Sequence, residues 1–154
     1  MNYLLILISF VLQSTIPAGN ENLEFNFIAS RDSSSSSLLH IDGKIINKSD
    51  KSIFFLSESC NGLDYYLKTK HTDAYIFLAV HCNATYPRKI EIKPQAEYSF
   101  STSIHETESI EILELTLTFV ELKPDTKIKG RFIHEIKNEY SNSTIYLKAK
   151  STVF

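Results

Sequence analysis

The chain has 154 residues, 18 acidic against 16 basic, a net charge of −2 at neutral pH and no tryptophan. Charges of both signs are interspersed along it, which excludes the concentrated positive field that nucleic-acid binding needs and the polybasic segment that holds a protein to an anionic membrane. β-Branched and aromatic residues run high and alanine runs low, which favours strands over helices.

The chain opens on Leu4-Leu-Ile-Leu-Ile-Ser-Phe-Val-Leu12, an apolar run broken only by Ser9. A membrane-spanning helix needs about 20 apolar residues, so the run is too short to cross. It fits the apolar core of a secretory signal peptide with cleavage after Ala18, although the leader carries no Lys or Arg ahead of the run. The alternative is a buried N-terminal strand or helix. With residues 1–18 as leader, residues 19–154 form one domain, secreted or periplasmic, long enough to bury about two-thirds of its unfolded surface.

Leu23-Glu-Phe-Asn-Phe-Ile28 alternates Leu23, Phe25 and Phe27 against Glu24 and Asn26, a half-buried strand. Arg31 to Ser37, with five consecutive serines, reads as a flexible surface loop. A second strand covers Leu38 to Ile46, with Gly43 marking a bulge. The polar turn Asn47 to Lys51 leads into Ile53-Phe-Phe-Leu56, apolar on both faces as in a central strand of a packed sheet. The second strand, this turn and the central strand are expected to form an antiparallel hairpin.

The central strand ends at Ser57-Glu-Ser-Cys60-Asn-Gly62, a turn signal holding one of two cysteines; the other, Cys82, closes the apolar run Ala74 to Val80. Behind a signal peptide a Cys60–Cys82 disulfide is expected. Its short loop would contribute roughly 3 kcal/mol to a domain that already has a core. Between the cysteines, Leu63 to Leu67 reads as a short strand. Lys89 to Lys93 and Glu97 to Ile104 read as strands joined by a Pro94 turn. In Ser109 to Leu122, residues Leu113, Leu115, Leu117 and Phe119 fall at spacing two, which would scatter them round a helix and puts them on one face of a strand. Lys127 to Ile133 is a weaker strand, Asn138 to Asn142 a loop, and Thr144 to Lys150 the last strand. Seven to nine short strands with frequent turns predict an all-β antiparallel sandwich.

The phrases Ile45-Ile-Asn-Lys-Ser-Asp-Lys-Ser-Ile53, Ile90-Glu-Ile-Lys-Pro-Gln-Ala-Glu-Tyr98 and Tyr140-Ser-Asn-Ser-Thr-Ile-Tyr-Leu147 resemble immunoglobulin-like or fibronectin-like sandwiches of secreted proteins. The chain departs from antibody domains in lacking a core tryptophan and in the short Cys60–Cys82 separation. The resemblance implies the fold class and carries no functional residues with it.

Chemistry-bearing patterns are sparse. His71, His81 and Cys82 lack the paired spacing of a Cys/His metal site, and no metal or cofactor is expected. His105-Glu-Thr-Glu108 and His134-Glu135 place imidazole beside carboxylate, an arrangement commoner on solvated surface than in catalysis. No nucleophile elbow or phosphate-cradling glycine loop occurs, and an enzyme is not expected. Three sequons, at Asn47, Asn83 and Asn142, fall where loops are predicted and are candidate glycan acceptors, although such triplets also arise by chance. Tyr65, Tyr66 and Tyr86 flank the cysteines; they are candidate contact residues, with packing over the disulfide as the stronger alternative. These residues predict a secreted, non-catalytic binding or interaction module for a protein or glycan partner. The alternatives are an inhibitor of a secreted hydrolase and, behind it, a small extracellular enzyme.

Overall fold

The computed structural model describes residues 22–32, 35–78 and 85–154. The leader expected at 1–18 and residues His81, Cys82 and Asn83 lie outside these. Among the described residues there are nine strands: β1 (Leu23–Asp32), β2 (Ser35–Asn47), β3 (Ile53–Glu58), β4 (Leu67–Thr69), β5 (Ala74–Ile76), β6 (Pro87–Ile92), β7 (Glu97–Glu106), β8 (Ile112–Leu122) and β9 (Thr144–Thr152). One helix, α1 (Ile133–Glu139), sits between β8 and β9.

The strands form two antiparallel sheets, making the protein all-β. The first has the order β1-β2-β7-β5; in the second, β4-β8-β3-β6 form a path and β9 adds to β8. Period-two alternation aims one face of each sheet at a shared core. Phe25, Phe27, Leu39, Ile41, Ile45 and Ile104 come from the first sheet; Ile53, Phe55, Ile92, Leu113, Leu115, Leu117 and Phe119 from the second. Phe55 meets Phe119 and Tyr98 with ring centroids 5.1 and 5.6 Å apart, joining β3 to β8 and to the opposite sheet. The chain's last residues close one side: Val153 bridges Ala29 in parallel, and the Arg31 N–H donates to the Phe154 carbonyl at 2.8 Å.

Five local expectations are corrected. Arg31–Asp32 belong to β1 and β2 already starts at Ser35, so the serine run is partly strand. β2 and β3 do not form a hairpin: β2 pairs with β1 and β7, β3 with β6 and β8, and the turn after Asn47 carries the chain between sheets. Asn47 holds that crossing. Its side-chain amide donates to the carbonyls of Lys51 (2.7 Å), Ile92 (3.0 Å) and Lys93 (3.1 Å), and its Oδ1 accepts from the Ser49 N–H and hydroxyl.

Gly43 sits in unbroken register between Phe27 and Phe100, without a bulge. A Cβ there would come within 2.5 Å of the Phe100 ring, which covers the glycine and stacks on Phe25. Leu63–Leu67 is a single 3-10 turn, Asp64–Tyr66, leading into β4 rather than a strand.

The outer face of the second sheet is covered too. Leu56, Val120 and Leu122 pack against Ile136 of α1, with Phe54, Ile128, Ile133 and Tyr140 around them. This is why β3 is apolar on both faces. The segment after β8, expected as a strand over 127–133, is instead a pair of turns leading into α1. Ile133, Ile136 and Tyr140 recur at helical spacing, and the Glu135 carboxylate accepts the Phe132 N–H at 3.0 Å at the helix start.

Candidate functional site

The outer-face segment 123–140 is clamped to the sheet at several points. The Lys89 ammonium, from β6, donates to the carbonyls of Pro124 (2.8 Å) and Thr126 (3.1 Å), and the buried Thr126 hydroxyl shares a hydrogen bond with the Tyr140 phenol at 2.7 Å. Gly130 takes φ +75° at the turn, a conformation side-chain-bearing residues rarely adopt. Arg131 pairs with Glu139 at 2.7 Å, tying that turn to the end of α1.

Between this segment and the start of β6 runs a groove of about 800 Å³, lined by Thr85, Tyr86 and Pro87 on one side and by Ile128 to Phe132 on the other. Tyr86 and Phe132 stand at it with 69% and 68% of their surface exposed. Their backbones are fixed even so. The Ser59 N–H donates to the Tyr86 carbonyl and the Tyr86 N–H to the Ser59 hydroxyl, both at 2.9 Å. Phe132 precedes α1 and stacks on His134 with centroids 5.7 Å apart.

Next to the groove lies a buried carboxylate. Glu58, the last residue of β3, accepts from the Tyr66 phenol (3.2 Å), the Lys137 ammonium (3.3 Å) and the Thr85 hydroxyl (3.5 Å). Lys137 also sits 4.6 Å from the centre of the Tyr66 ring. Burial, reinforced by the Glu58 charge, pushes the Tyr66 phenol well above its ordinary range, so it stays a donor. This cluster joins β3, the 3-10 turn, α1 and the approach to β6, and it anchors one wall of the groove.

The three tyrosines therefore part company. Tyr86 lines the groove. Tyr65 is exposed on the 3-10 turn, accepting a hydrogen bond from the Asn61 amide at 3.2 Å. Tyr66 is buried and belongs to the Glu58 cluster, which corrects its candidacy as a contact residue. Of the sequons, Asn47 is corrected: it is fully buried, and its amide nitrogen is taken by three carbonyls. Asn142 is exposed in the 3-10 turn Ser141–Ser143. Cys60 is half-buried beside Ser59.

His105 stacks flat on Tyr75 at 5.0 Å and His134 on Phe132, so each meets an aromatic face. Among the described residues no three His, Cys, Asp or Glu side chains converge to hold a metal ion. No described helix is long and apolar enough to cross a membrane. Phe132 is the site residue that sequence reasoning missed; the Ile133–Ile136–Tyr140 spacing with Glu135 near the helix start was its available signal.

No protein-family model matches the chain, and no curated protein matches it. Among solved structures it is similar to a FixG-related protein from Vibrio parahaemolyticus, with a TM-score of 0.37 and 12% identity, covering 86% of this chain and 97% of that one. A likeness at that level assigns neither family nor activity.

Proposed function

We propose that this protein is a secreted or periplasmic, non-catalytic binding module with an immunoglobulin-like sandwich, a Cys60–Cys82 disulfide, and a protein or glycan partner that it engages through the Tyr86–Phe132 groove. The observation that carries the reading is the pair of aromatic rings held in the open, on fixed backbone, at the two walls of one concave apolar surface. Exposed aromatic anchors beside a pocket are the usual high-energy contacts of recognition surfaces. Neither ring is needed for the core.

The test compares the protein with its Tyr86→Ser/Phe132→Ser variant for retention of partners from the extracellular fraction of the native source and from a glycan array. Loss of a specific partner at unchanged melting temperature supports the reading. Equal retention by both proteins overturns it.

A further inference from the structure

We infer that the Tyr86–Phe132 groove takes an acidic peptide segment bearing an aromatic or aliphatic side chain, an inference that rests on the groove being the binding site. Among the described residues, the two charged ones that line it, Lys129 and Arg131, are both cations. Arg131 is already held by Glu139, whereas Lys129 is exposed and makes no ion pair among the described residues. Exposed Lys127 flanks it on the same segment. Across residues 85–89 and 123–131 the charges are Arg88, Lys89, Lys123, Lys127, Lys129 and Arg131 against Asp125 alone. In a chain with more acid than base overall, this is a local reversal of sign, and it complements an anionic partner.

The rest of the lining selects between kinds of anion. Pro87, Ile128 and the two rings are hydrocarbon surface, suited to an apolar side chain. Among the described residues the lining holds no Asp, Glu, Asn or Gln to accept from sugar hydroxyls or to fork across them. Main-chain partners lie alongside. Because Ser59 bonds to the Tyr86 carbonyl, the alternation of an antiparallel ladder turns Arg88, Ile90 and Ile92 towards β3. It leaves the N–H and C=O of Lys89 and Glu91 on the outer edge of β6, which pairs with no strand among the described residues. An extended peptide can bond to that edge while its side chain enters the groove and its carboxylates meet Lys129 and Lys127.

The experiment is fluorescence anisotropy of the protein with four labelled probes: a peptide of Glu and Asp around one Phe, the same peptide with Lys for its acids, the same with Ser for its Phe, and a sulfated oligosaccharide. Two variants accompany it, Lys127→Glu/Lys129→Glu and Tyr86→Ser/Phe132→Ser, each first shown to melt as the parent does. The acidic Phe peptide is expected to bind best, to weaken as salt rises, and to lose about tenfold in affinity in either variant. Equal binding of the Lys peptide, indifference to the charge-reversed variant, or preference for the oligosaccharide overturns the inference. So does absence of peptide binding. If the aromatic variant still loses its native partner while no acidic peptide binds, this inference fails and the groove reading stands; if that variant keeps its native partner, the groove reading fails first.

Discussion

Asn47 shows how much one side chain decides where the chain crosses between sheets. Its amide satisfies carbonyls from the turn after β2 and from the end of β6. Replacing it with Ala removes the donor that ties these carbonyls together, although Lys51 keeps the Ser49 hydroxyl, so Asn47→Ala should cost about 1–3 kcal/mol in denaturant unfolding. The same bonds exclude a glycan there. Site mapping of the native protein should find Asn47 unmodified, whatever the state of Asn142.

Two carboxyls act in the opposite sense. Burial raises the folded-state pKa of Asp64 and of Glu121. The folded protein therefore holds these protons more tightly than the unfolded chain does. Their stabilising contribution is complete below the ordinary carboxylate range near pH 4 and is lost as pH rises through the raised folded values. At neutral pH both charges oppose folding. Asp64→Asn and Glu121→Gln should each raise the melting temperature at pH 7, and the gain should vanish at about pH 3.

The helix α1 is seven residues long, too short to hold itself together in water. Ile136 seats it on Leu56, Val120 and Leu122, and the Lys137–Glu58 and Arg131–Glu139 pairs orient it. Ile136 is fully buried, so Ile136→Ala should cost about 3 kcal/mol. Because α1 carries the Phe132 wall of the groove, the same substitution should weaken partner binding at temperatures where β8 and β9 remain folded. Amide exchange would show this as early loss of protection in α1 ahead of the strands. The strand face of β8 was legible in the sequence because the spacing of Leu113, Leu115, Leu117 and Phe119 admits no helix. α1 was not, because its helical spacing covers two turns at most and Lys127-Ile-Lys also alternates like a strand.

For the molecule as a whole, the compartment and the disulfide are tested together. The intact mass of the protein from its native source should lack residues 1–18, and alkylation should add to it only after reduction. A full-length mass with two freely alkylated cysteines would sink the secreted reading. In that case Cys60, half-buried next to Ser59, would be an intracellular thiol.

Alternation with period two needs no knowledge of neighbours, and from it the all-β class, most strand positions and the two apolar faces of β3 could be read directly. Which strands pair could not, since β2 offers the same pattern to β3 as to β1 and β7. The choice was made by the Asn47 crossing and by Phe100 lying over Gly43, contacts between residues 45 or more apart or 57 apart. The candidate site divides in the same way. Tyr86 could be singled out as an aromatic in a polar stretch, but its separation from the equally promising Tyr66 rests on Glu58, Lys137 and the sheet's outer face. Burial is a property of what packs on a residue, and that is settled by the fold.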